Sequence, residues 1–256
     1  MIIAVVAVVL VAVIAGYFIL SASDEGPGVP SAIIIDQLSV GVPKPPFADT
    51  VTDQLEAAGY RVDYYAGEEV TVDFYRELPT LGYDLIVLRA HSGLIQGGDR
   101  EGEAFLFTNE PFDNQQHGEE LRERRLLSAT YSSDSPSSNL SDIPKLFGIA
   151  PDFVEFSMVG DFDGATIILM GCNGLTSSTM AAAFVAKGAR AIVSWDDLVS
   201  GDHTDAATDR LLELLLEGQL PLGEAVAQTA AEVGPDPYYG SELQFYPREQ
   251  TAVTLP

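Results

Sequence analysis

Two side chains in this sequence have the type and the setting for nucleophilic catalysis: Cys172, the single cysteine, and His91, one of three histidines. Each follows an apolar run, residues 83–88 before His91 and residues 166–170 before Cys172. A thiolate attacks carbonyls, and a neighbouring imidazole can take the thiol proton and later give it to a leaving amine. Gly93 and Gly171 flank the pair without side chains and leave room for a substrate backbone. The amides of Gly93 and Cys172 are candidate donors to an oxyanion. Each residue alone has a plainer reading, since free cysteines are mostly core and a lone histidine at a strand end is mostly a satisfied surface group. Their matched placement favours the catalytic reading. One cysteine also excludes an internal disulfide and a Cys-rich metal site. His117 sits beside Gln115, Gln116 and Gly118, and His203 opens a helix near Asp202 and Asp205. Neither has a third ligand at useful spacing, so no metal and no cofactor is expected.

The pair needs a scaffold that brings two strand ends together. Residues 32–35 form a short β-branched run suited to a buried strand. Phe47, Val51 and Leu55 fall at helical spacing before Gly59, and residues 61–65 read as the next strand. Val70, Phe74 and Leu78 suggest a short helix stopped by Pro79, ahead of a strand at 83–88. Between about 94 and 160 the pattern loosens into an irregular insertion. It holds one strand-like run at 104–108 and a Ser-rich exposed loop at 132–141. Order returns with a strand at 166–170, an Ala-rich helix at 177–187 and a strand at 191–195. Helices at 202–217 and 222–233 and an edge strand at 243–246 complete the chain. Strands separated by helices predict an α/β fold with a mostly parallel sheet and helices on both faces. In such sheets reactive groups collect beyond the carboxyl ends of the strands, where neighbours lie about 4.8 Å apart. GxGxxG, GxxxxGK[ST] and GxSxG are all absent, so nucleotide-binding and serine-hydrolase readings lack their motifs.

The run Tyr-Asp-Leu-Ile-Val-Leu-Arg-Ala-His-Ser-Gly at 83–93, with Thr-Ile-Ile-Leu-Met-Gly-Cys-Asn-Gly at 166–174, resembles the two catalytic blocks of caspase-fold (clan CD) cysteine peptidases. Residues 180–218 are similar to the stretch after the nucleophile in CHAT peptidases, relatives of separase. The resemblance implies a cysteine endopeptidase with Cys172 as nucleophile and His91 as general base. It departs from caspases proper, which have Gln-Ala-Cys and a His about 50 residues upstream; here the sequence is Met-Gly-Cys and the separation is longer. The family's pocket for the residue before the cleaved bond maps near Asp36 and around Ser194, Trp195, Asp196 and Asp197. An acidic pocket there implies cleavage after Arg or Lys. The alternative is a catalytically inactive caspase-like scaffold or binding module.

Composition narrows the partners. With 38 acidic against 13 basic residues the formal net charge is −25, which repels nucleic acid; the peptidase resemblance implies a protein or peptide substrate. Scarce Lys and abundant carboxylate suit a high-salt setting, where self-repulsion is screened. Residues 2–20 carry no charge, and at about 1.5 Å per residue a helix of that length matches the bilayer core. The expected organisation is a transmembrane anchor at 1–22, a linker at 23–31 and a peptidase domain at 32–256. Asp24 and Glu25 after the run place that domain outside the cytoplasm as a single-pass protein.

Overall fold

The computed structural model describes residues 28–130 and 144–256. The expected anchor at 2–20 and the Ser-rich loop at 132–141 lie outside these. Among the described residues no helix is long and apolar enough to cross a membrane.

The main sheet is built from β1 (Ser31–Asp36), β2 (Arg61–Ala66), β3 (Leu85–Arg89), β8 (Thr166–Leu169), β9 (Ala191–Trp195) and β10 (Leu243–Tyr246), in the order β10-β9-β8-β3-β1-β2. Five strands are parallel, and β10 runs antiparallel to β9 at one edge. Successive residues of each inner strand feed opposite cores, as the two-residue period of a strand requires. Ile33, Ile35, Ile86, Leu88, Ile167 and Leu169 face one side. Ile34, Leu85, Val87, Ile168 and Val193 face the other. The second core is closed by α1 (Pro45–Ala57), α6 (Gly201–Leu216) and α7 (Leu222–Val233), through residues such as Val51, Leu211, Leu215 and Val226. On the first face lie α2 (Val72–Glu77), α4 (Pro151–Phe156) and α5 (Thr179–Ala186), with Tyr75, Phe153 and Phe184 buried. The expected α/β class with helices on both faces is thus the observed one.

Among its described residues the insertion is not irregular. It forms a second, antiparallel sheet of β4 (Ser92–Leu94), β5 (Ala104–Pro111), β6 (Leu126–Thr130) and β7 (Lys145–Ile149), in the order β4-β5-β7-β6, with a short helix α3 (Gly118–Arg122). One face of this sheet, through Ala104, Leu106, Phe147 and Ile149, joins the first core. Its other face gathers Phe105, Phe107 and Ala129 with Ile95, Leu127 and Leu146. Because β4 begins one residue after His91, the second sheet grows directly out of the candidate site.

Candidate active site

β3 and β8 are adjacent and parallel, with Leu88 opposite Leu169. His91 and Cys172 therefore lie equally far, three residues, beyond a matched pair at the carboxyl ends of neighbouring strands. The two loops are tied together: the Ser92 hydroxyl donates to the Cys172 carbonyl. A Cβ at Gly171 would collide with the Ser92 hydroxyl and the Ala90 carbonyl, so glycine is what allows this approach. After Cys172 the chain turns through Asn173, held at φ 59°, a left-handed conformation that Asn tolerates better than most residues. The turn is pinned by the Asn173 amide, which donates to the Asp197 carbonyl at 2.9 Å.

His91 is fixed through its backbone. Its amide donates to the Gln37 side-chain oxygen at 2.9 Å, and its carbonyl accepts from the Phe107 amide at 3.0 Å. The imidazole packs edge-on to Phe107. Burial, with a smaller contribution from the Arg89 charge, holds its pKa below the ordinary histidine value. The Cys172 sulfur lies against the backbone of Val199, accepting from its amide at 3.4 Å and donating to its carbonyl at 3.6 Å. It packs beside Trp195 and Val199. Burial pushes the thiol up; the Val199 amide opposes this, while Asp197 and Asp236 add to it. Both catalytic candidates are thus neutral in the resting site.

The remaining expected residues fall differently. Gly93 cannot serve as oxyanion donor. Hydrogen bonds at His91–Phe107 and Ile95–Glu103 bracket it, which puts Gly93 and Phe105 at the hydrogen-bonded position of the ladder and turns the Gly93 amide to its partner strand. The same alternation turns the Ser92 amide away from β5. The Cys172 amide donates to no other residue among the described ones. Asp36 is not available to a substrate guanidinium. It is the register partner of Arg89, only 2% exposed, and bonded to that guanidinium at 2.8 Å and to the Tyr64 hydroxyl at 3.1 Å. Arg89 also reaches Asp205 at 3.2 Å, over the ring of Phe47. Ser194 and Trp195 are buried too: Ser194 donates to the Leu169 carbonyl at 2.8 Å and the Trp195 indole to Thr204 at 2.9 Å. Neither presents a polar group to a ligand. Asp196 is half-buried and accepts from the Glu242 amide and the Gln244 side chain, which fastens β10 to the β9 loop.

Sequence reasoning missed Gln37 and Val199, which position the pair rather than react, and Ser92, whose hydroxyl ties the two loops and whose amide turns away from β5. Gln37 carried a weak signal, a polar residue directly after a strand that ends at the reactive edge. Val199 carried none, because it acts through its backbone. His117 pairs with Glu110 at 2.9 Å, and His203 with the Gly234 carbonyl at 3.1 Å, both remote in role from the pair.

No protein-family model matches the chain, and no curated protein matches it. Fifteen chains of solved structures do. One is the crystal structure of the Arg-specific cysteine proteinase gingipain R (RGPB), similar over 79% of this chain with a TM-score of 0.50 and 11% identity. This chain spans 41% of that proteinase's length. The likeness shows the fold alone: this chain shares the α/β arrangement of that proteinase over the matched part.

Proposed function

We propose that this chain is a cysteine endopeptidase in which Cys172 attacks the scissile carbonyl and His91 carries the proton. The observation that supports this most is the β3–β8 register, which sets the two residues at equivalent positions beyond adjacent strands. When substrate enters, Sγ leaves Val199 and its proton passes to His91. A carbon–sulfur bond forms and the carbonyl π pair moves to oxygen, received by the Cys172 and Ser92 amides. Collapse breaks the carbon–nitrogen bond, and the amine departs with the proton from His91. Water then hydrolyses the thioester with His91 as base, restoring the thiol. A basic residue before the cleaved bond would meet Asp197, exposed on the β9 loop and near enough to bias the thiol, so Asp197→Asn should weaken cleavage after Arg.

Cys172→Ala and His91→Ala should each lower peptide hydrolysis by roughly a thousandfold or more while leaving the thermal transition in place. Wild-type turnover in Cys172→Ala would overturn the reading. One observation favours a second reading, a non-catalytic module on the same fold: the sulfur rests on Val199 rather than toward a substrate. Failure of Cys172 to react with any peptidyl electrophile would select it. In this proposal the CHAT-like pattern of 180–218 belongs to the peptidase domain, and residues 2–20 anchor it to a membrane with the domain outside the cytoplasm. Protease protection in intact cells tests the topology, and a fully shielded domain would reverse it.

A further inference from the structure

Beside His91 lies a cavity of about 790 Å³, the size of a small-molecule site, that the proposed chemistry alone does not require. It opens over the outer face of the second sheet. Ile95, Phe105, Phe107, Leu127 and Ala129 form its floor and walls, and His91 stands at its rim. Cys172 is not among its lining residues. Apart from His91, no side chain among the described lining residues can carry a formal charge, in a chain with 38 acidic residues. Two glycines keep the floor tight: a Cβ at Gly93 would strike the Phe105 ring, and one at Gly148 would strike Leu127 and Phe105.

Which part of a substrate belongs there follows from proton transfer. The residues before the cleaved bond stay on sulfur as the thioester; the residues after it leave as an amine that takes its proton from His91. The departing segment must therefore sit on the His91 side, where the cavity is. β4, which carries Ser92 and Leu94, is an edge strand of the second sheet, paired with β5 alone among the described strands. An extended peptide can pair with such an edge and set alternate side chains into an adjoining pocket. We infer that this cavity binds a large apolar or aromatic side chain within the first two residues after the cleaved bond, so that specificity is set on the leaving side as well as before the bond. The inference rests on the peptidase reading and on the position of His91 in the lining.

The test uses the full chain and internally quenched peptides that share one sequence before the bond. The first two residues after it are varied among Phe, Leu, Ala, Asp and Lys. The Phe-to-Asp ratio of kcat/KM should be about tenfold or more, the range that apolar pocket contacts supply. Ile95→Lys places a cation in the wall and should bring that ratio to unity or below. Leu127→Ala, the second variant, should shift preference toward bulkier side chains. A ratio read within one enzyme is insensitive to a misfolded fraction. A flat profile in the wild type, or a ratio that Ile95→Lys leaves unchanged, overturns the inference. Binding of the same peptides to Cys172→Ala separates the two levels. Phe-selective binding without any cleavage by the wild type removes the peptidase reading and keeps the pocket, whereas cleavage with unselective binding removes the pocket alone.

Discussion

His91 and Cys172 rest as a neutral pair, and this fixes the sign of the pH dependence. Burial favours the uncharged imidazole, so the His91 pKa lies below 6.5 and the base form persists into mildly acidic solution. The thiol is displaced upward from 9.0, so little thiolate forms before substrate arrives. The acid limb of kcat/KM against pH should therefore have its midpoint below 6.5; a midpoint above that value would contradict the neutral-pair account. These two residues were legible in the sequence because each is the first reactive group after an apolar strand. Asp36 was misread for a physical reason. Nothing in the sequence of β1 states that its last residue faces Arg89, and the cross-strand ion pair takes up the carboxylate that a substrate would need. Trp195 and Ser194 were misread likewise: they are the end of a strand whose two faces are both covered.

At the scale of elements, the loops that hold the sulfur are organised by Asp236, which is 2% exposed. Its carboxylate accepts from the Ser200 amide and hydroxyl and from the amides of Tyr238 and Tyr239, all within 2.9 Å. Burial alone would raise its pKa; these donors outweigh burial and bring it down to about 2. A depressed carboxylate contributes stability that is full above its unfolded pKa, near 3.8, and is lost as pH falls through about 2. Asp236→Asn should cost roughly 1–3 kcal/mol at neutral pH, with the gap to wild type closing toward pH 2 in denaturant titrations. An equal deficit at both ends of that range would point to packing instead. The parallel sheet and its larger helices were legible from apolar runs and helical spacing. Of the second sheet only β5 was legible, as the strand-like run at 104–108; β7 is a short apolar stretch without alternation, and β4 is three residues long. A strand that short gives no periodic signal before it ends.

Over the whole molecule the net charge of −25 on 256 residues sets a self-repulsion that the few surface ion pairs do not cancel. Added salt screens it within about 3 Å at 1 M. The thermal midpoint should rise steadily between low salt and about 1 M sodium chloride. A fall would show that salt bridges such as Arg210–Glu232, at 2.6 Å, outweigh the net repulsion. The same acidity favours cationic over anionic peptides in the encounter step, so association should weaken as salt rises even where stability improves.

The chemistry at Cys172 is read most directly by intact-mass spectrometry of the chain after exposure to a peptidyl acyloxymethyl ketone at neutral pH. The wild type should gain one adduct, mapped to Cys172, on a timescale of minutes, and His91→Ala should gain it far more slowly. Equal labelling of the two proteins, or none in the wild type across a panel of peptide sequences, would contradict the assignment of Cys172 and His91 as a catalytic pair.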